Sequence, residues 1–200
     1  MGKTSPGIIA VTIYGWLIAA FWLVLIIVWA VAAGRAKRTV ASGWVWRRGI
    51  ALRLAVLVVV LTVILIFRRA LPSLRPYAIN QSATAGLVGA VLCALGVGLA
   101  VLSRAYLGRN WGMPMSRKAE PELVMSGPYA TVRHPIYAGV LLALLGSAIG
   151  LSIFWVLPFV VCVPYFIYSA RREEQLLTEQ FPDQYPAYVR RTKMLLPHLL

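Results

Sequence analysis

The sequence predicts an all-α integral membrane protein with five transmembrane helices. Hydrophobic residues make up 60% of the 200 residues, only 13% are charged, and the mean hydropathy is +0.76. The charge-free stretches are long enough to cross the roughly 30 Å hydrocarbon core of a bilayer. The net charge of +14 comes from short basic clusters between these stretches. That distribution is typical of cytoplasmic loops and argues against a nucleic-acid-binding face.

Three of the predicted spans lie in an N-terminal region, residues 1–102. They cover residues 8–33, 50–67 and 84–102, and each is apolar with at most one charge. The third contains four glycines, which suit close packing of helices within a membrane: Gly86, Gly89, Gly96 and Gly98.

The remaining two spans are predicted in residues 136–170, a charge-free stretch too long for one helix. At about 1.5 Å per residue it would reach roughly 50 Å. Gly146, Gly150 and Ser152 lie near its middle, so we expect a turn there and a hairpin of two antiparallel helices.

The distribution of basic residues orients these spans. With five spans and the C-terminus inside, fifteen Lys and Arg residues fall on the inner side and four on the outer side. This asymmetry predicts that the polar clusters in residues 103–200 face the cytoplasm. For location we expect a multi-pass protein of the bacterial inner membrane. After the last span we expect a short interfacial helix from Gln184 to about Lys193, capped by Asp183, with Tyr185, Tyr188 and Val189 against the membrane.

One polar cluster precedes the fourth span. Pro135 suits the first position of a helix, whose N-terminus attracts an anion, and His134 stands at its mouth as a donor or acceptor. A helix cap beside an interfacial histidine is the alternative interpretation. Tyr129 and Tyr137 would form either an aromatic belt or a ring wall around a bound base or cation.

A second polar cluster, Arg171-Arg172-Glu173-Glu174, follows the fifth span. Carboxylates at a membrane edge need a neutralising partner. They could pair with the adjacent arginines, or accept an ammonium group or ribose hydroxyls. Both cysteines, Cys93 and Cys162, lie in apolar runs and no Cys/His spacing suits a metal, so we predict no metal site.

The two clusters together would suit a zwitterion with a planar base and a cation, features that S-adenosylmethionine has. The residues alone indicate only a pocket of mixed charge at a membrane face. Gly127-Pro128-Tyr129 with Arg133-His134-Pro135-Ile136-Tyr137-Ala138-Gly139 resembles the signature of the isoprenylcysteine carboxyl methyltransferase family, whose superfamily includes phospholipid N-methyltransferases. Residues 171–177, with Phe181, Tyr185, Tyr188 and Pro197, resemble its C-terminal motif, and residues 107–111 resemble its lead-in.

The resemblance implies a methyltransferase region in residues 103–200 that uses S-adenosylmethionine and takes a lipophilic acceptor, a carboxylate, from the bilayer. It implies that Arg133 or Arg171 orients the acceptor; for an amine acceptor, Glu173 or Glu174 would be the candidate base. The cofactor contacts that it implies are Tyr129, His134, Pro135, Tyr137, Gly139, Glu173 and Glu174.

Two positions depart from the family pattern. Glu120-Pro121-Glu122 stands where relatives often have a histidine, and Pro182 stands where they usually have glycine. A phospholipid N-methyltransferase, an NADPH-dependent sterol-type reductase and a membrane scaffold without catalysis are the alternative functions.

Overall fold

The computed structural model describes residues 6–33, 82–108 and 122–197. These residues form five α-helices and contain no β-strand, in agreement with the predicted all-α class. We number the helices α1 (Pro6–Ala33), α2 (Ala83–Leu107), α3 (Pro135–Gly150), α4 (Val156–Gln180) and α5 (Tyr185–Arg191). The predicted span at residues 50–67 and the Pro121 position lie outside the described residues.

Three of the described helices are long and apolar enough to cross a bilayer. The qualifying segments are Ile13–Ala32, Ala83–Leu107 and Ile153–Gln180. The apolar helix α3 has only 16 residues. These helices support a membrane protein, whereas the five-span topology and its orientation stay predictions.

Helix α2 begins at a capped end and runs further than expected. The Ser82 hydroxyl accepts a hydrogen bond from the amide of Ala85 at 3.3 Å. The helix continues to Leu107, five residues beyond the predicted end, because the buried Arg104 is accommodated in its last turn. The guanidinium of Arg104 donates to the carbonyl oxygens of Gly108 at 2.6 Å and Ala32 at 2.9 Å, which also ties α2 to the end of α1.

Helices α2 and α3 pack backbone to backbone along a row of small residues. A methyl group added at Gly139 would lie 2.6 Å from the carbonyl oxygen of Gly96, and one at Gly146 would lie 2.6 Å from that of Gly89. Helices approach this closely only where side chains are absent. The predicted packing role is therefore confirmed for Gly89 and Gly96, while Gly98 faces open space.

The predicted turn lies later than expected. Gly146 is inside α3, where it contacts Cys93 of α2, and the chain leaves the helix only at Leu151. The turn is made by Ser152, whose hydroxyl accepts from the amide of Phe154 at 3.3 Å. Gly146 was thus wrongly interpreted as a turn residue, because a glycine at a helix contact looks the same in sequence.

Helix α1 packs on the outside of this pair through one face. Ile18 and Leu25 are buried there. The indole of Trp22 donates to the Ser147 hydroxyl of α3 at 3.0 Å and stacks on Trp155 with ring centroids 5.9 Å apart. These contacts hold α1 against α3 and the turn that follows it.

The C-terminal helix differs from the prediction in its cap and its packing. It begins after Gln184, without a side-chain cap from Asp183, because the amides of Gln184 and Tyr185 bond to the carbonyl of Phe181 instead. Tyr185 and Tyr188 are 1% and 3% exposed, respectively. Their rings are buried within the protein, so the expected aromatic membrane-facing side is wrong.

Candidate functional site

The site lies where three segments meet: residues 127–134, the last turns of α4, and the C-terminal segment, which we define as residues 185–195. The first segment starts with a 3-10 turn at Gly127–Ala130 and ends where Pro135 opens α3. Gly127 has a φ of 59°, a conformation that favours glycine, and the ring of Tyr106 lies against it. These features fix the direction in which the chain enters α3.

His134 lies between the two glutamates. Its Nε2 is 3.3 Å from Glu174 Oε1 and its Nδ1 is 3.5 Å from Glu173 Oε2. Its side chain is 6% exposed. The two polar clusters, forty residues apart in the chain, therefore converge through direct contact.

Arg133 makes the shortest charged contact in the cluster. Its Nε donates to Glu174 Oε1 at 2.6 Å, and its Nη1 donates to the carbonyl oxygen of Thr192 at 2.6 Å. Arg133 and His134 therefore share Glu174 Oε1 as their contact, and neither of them contacts Oε2. The side chain of Arg133 is 9% exposed.

Tyr137 connects the start of α3 to Glu173. Its hydroxyl donates to Glu173 Oε1 at 2.6 Å. Its ring stacks on His134, with centroids 5.5 Å apart, and on Phe166 of α4, with centroids 4.6 Å apart. A continuous column of three rings thus runs beside the carboxylates, which could support a planar base.

The charges of the cluster depend on the protonation of His134. Burial lowers the pKa of His134, but its hydrogen bonds to the carboxylates of Glu173 and Glu174 and their negative charges outweigh burial, so the pKa is raised. Protonated His134 and Arg133 balance the two carboxylates. Neutral His134 leaves one net negative charge, which could attract a cationic ligand.

The C-terminal segment closes over residues 129–134. The amides of Arg133 and His134 donate to the carbonyl oxygens of Lys193 and Met194 at 2.8 and 3.0 Å, respectively. The hydroxyl of Tyr188 donates to the Tyr129 carbonyl at 2.6 Å. Short parallel pairing of this kind has no sequence pattern of its own, so sequence reasoning missed it.

Buried tyrosines line this contact. Burial, and then the charge of Glu173, raise the pKa of Tyr129 above its usual range. Burial raises the pKa of Tyr188 to about 12. The hydroxyl of Tyr185 is buried and has no hydrogen-bond partner among the described residues, and the same holds for Ser169 on α4.

The predicted site residues fall into two groups. Arg133, His134, Tyr137, Glu173 and Glu174 form one connected cluster, next to Pro135 and Tyr129.

The others lie apart from that cluster. Gly139 packs against Gly96 and Ala100 of α2, which explains the glycine by helix packing alone, so its cofactor contact stays a prediction. The side chain of Arg171 is exposed, and its guanidinium makes no hydrogen bond or ion pair within the described residues. Phe166 was not identified from the sequence as part of the site. Its position two helical turns before Glu173 places both residues on one face of α4, which is the signal that could have identified it.

Comparison with known protein families gives a match that overlaps this region. A family profile described as phospholipid methyltransferase matches residues 84–184. The chain belongs to the phospholipid methyltransferase family. The resemblance inferred from sequence, to the superfamily that contains these enzymes, is confirmed. The matched region of this phospholipid methyltransferase family member contains α3, α4, all of α2 except its first residue, and the whole His134–glutamate cluster.

Two curated relatives carry different names. The chain is 33% identical over 111 residues to the nickel-cobalt-cadmium resistance protein NccN of Alcaligenes xylosoxydans xylosoxydans. It is 33% identical over 111 residues to the cobalt-zinc-cadmium resistance protein CzcN of Cupriavidus metallidurans. Each match covers 52% of this chain and 50% of the relative. The chain thus spans about half the length of the curated relatives that it matches.

Proposed function

We propose that this protein is an integral membrane methyltransferase that uses S-adenosylmethionine and modifies a lipophilic acceptor at a carboxylate. Membership of the phospholipid methyltransferase family supports the methyltransferase class. The observation that carries the finer proposal is the contact of His134 with both Glu173 and Glu174 beside a column of aromatic rings.

The residues present fit the cofactor by their chemistry. Glu173 and Glu174 remain 24% and 18% exposed, so each can accept a further hydrogen bond from an ammonium group or ribose hydroxyls. The two ends of the ring column, His134 and Phe166, could face a planar base with the sides that Tyr137 does not cover. When bound there, S-adenosylmethionine would supply an electrophilic methyl group on a sulfonium.

The engagement of the glutamates favours a carboxylate acceptor over an amine. An amine needs a base to remove its proton. Burial raises the pKa of Glu174, but the hydrogen bonds and positive charges of His134 and Arg133 outweigh burial and lower it, so Glu174 is a weak base. A carboxylate is already a nucleophile and needs only a cation to orient it. Arg171 or Arg133 would supply that cation, while apolar surroundings exclude water from the acceptor.

A phospholipid N-methyltransferase is the second candidate, because the matching family is described by phospholipid substrates. The test is transfer of a radiolabelled methyl group from S-adenosylmethionine into a lipid extract by the purified protein. We expect a labelled product that base hydrolyses, as an ester does. A base-stable label would establish an amine acceptor, and no transfer to any lipid or prenyl acceptor would refute the enzyme proposal.

The names of NccN and CzcN, both metal resistance proteins, raise the question of whether this chain binds a metal ion. Within the described part of the chain, no three His, Cys, Asp or Glu side chains are grouped to hold a metal ion. His134 meets the two glutamates with opposite ring nitrogens, so the three do not converge on one point. The cluster of His134, Glu173 and Glu174 therefore does not have the arrangement of a metal site.

A further inference from the structure

The guanidinium of Arg133 is occupied by partners within the protein. Its Nε donates to Glu174 Oε1 at 2.6 Å. Its Nη1 donates to the carbonyl oxygens of Thr192 at 2.6 Å and Val189 at 3.4 Å. With a side chain only 9% exposed, Arg133 has little surface left for a substrate.

The backbone beside Arg133 is bound to the same C-terminal segment. The Arg133 amide donates to the Lys193 carbonyl at 2.8 Å, and the Lys193 amide donates to the Thr131 carbonyl at 3.3 Å. The side chain and the main chain of Arg133 thus bind one segment together, while its Nε binds Glu174. Movement of the C-terminal segment would therefore be transmitted to the Glu174 carboxylate.

We propose that Arg133 is a positioning residue that fixes Glu174 for the cofactor through the docked C-terminal segment. This inference rests on the proposed function. The planar fork of arginine is needed because it serves Glu174 and Thr192 at once from two nitrogens in fixed geometry. A lysine ammonium keeps the charge but cannot reproduce that geometry.

The first experiment is Arg133→Lys in the full-length protein. We measure the Kd of S-adenosylmethionine by calorimetry and the KM of the lipophilic acceptor by methyl transfer. We expect the Kd to rise about tenfold, as for a lost hydrogen bond to a charged group, with acceptor KM changed less than twofold. Arg190→Lys, on the exposed face of α5, is the matched control and should leave both constants unchanged.

A second pair of variants tests the C-terminal segment while Arg133 stays intact. Lys193→Pro removes the amide that donates to Thr131, whereas Lys193→Ala retains it. We expect a severalfold higher cofactor Kd for Lys193→Pro alone. An acceptor KM that rises as much as, or more than, the cofactor Kd in Arg133→Lys would overturn the proposal. Equal cofactor Kd values in the two Lys193 variants would also overturn it.

A third measurement does not need the cofactor. The chain has two histidines, His134 and His198, so imidazole NMR in nanodiscs resolves His134 once His198→Gln identifies the other signal. Arg133→Gln releases Glu174 to His134 and removes a nearby positive charge, so we expect the pKa of His134 to rise. An unchanged pKa would refute the positioning role. Failure of wild-type cofactor binding alone would refute the proposed function instead.

Discussion

Replacing Tyr137 by phenylalanine isolates one hydrogen bond between α3 and α4. The ring remains, so its stacking on His134 and Phe166 is preserved, while the 2.6 Å hydrogen bond from the hydroxyl to Glu173 is lost. A hydrogen bond to a charged group contributes about 1.5–3 kcal/mol. Because Glu173 is 24% exposed and water can partly replace the donor, we expect the lower end of that range.

The loss should be visible as a lower melting temperature of the protein in detergent. About 1.5 kcal/mol corresponds to roughly 3–6 °C for a chain of this size. Tyr168→Phe is the matched control, since it makes the same chemical change on α4 at a side chain that is 50% exposed. If both variants melt together, the Tyr137–Glu173 bond does not contribute to stability and our interpretation of the cluster is wrong.

Three further predictions use other features of the structure. Because the pKa of His134 is raised in the folded protein, its contribution to stability is full below the unfolded-state pKa near 6.5 and is lost as pH rises through the folded-state pKa. The melting temperature of the wild type should therefore fall more steeply with pH in this range than that of His134→Gln. Gly146→Ala should lower the free energy of unfolding by about 1–3 kcal/mol, because the added methyl group overpacks against α2. Gly98→Ala, in open space, should be neutral or stabilising. Thermal melts in which Gly98→Ala is the less stable variant would contradict the described packing. S-adenosylmethionine at 100 times its Kd should stabilise the protein by about 2.7 kcal/mol and NADPH should not; stabilisation by NADPH alone would favour a reductase.

The meeting of His134 with Glu173 and Glu174 could be predicted because local chemistry and length determine it. Pro135 marks a helix start, and a charge-free stretch too long for one helix has to return. The two polar ends of that stretch then lie side by side. Arg133 joins them most tightly. The resemblance implies only that Arg133 or Arg171 orients the acceptor, because the sequence does not say which partner a guanidinium contacts.

Other features depended on tertiary contacts that leave an ambiguous pattern. A glycine at a helix–helix contact, such as Gly146, cannot be distinguished in the sequence from a glycine in a turn. Tyr185 and Tyr188 suit an interfacial helix by composition, yet a short segment at residues 129–134 covers them. The pairing of that segment with Lys193 and Met194 rests on a few backbone bonds, which have no periodicity to detect.

The close backbone contact between α2 and α3 also fixes the rotation of α3 about its own axis. Gly139 lies little more than one helical turn after His134 and is held against Gly96, so the direction in which the imidazole leaves its helix is fixed by a remote neighbour. One residue inserted between His134 and Gly139 would turn the imidazole by about 100° and carry it away from the glutamates. The same insertion in the turn after Gly150 would leave that angle untouched, so length variation in this protein should be tolerated at one end of α3 and not at the other.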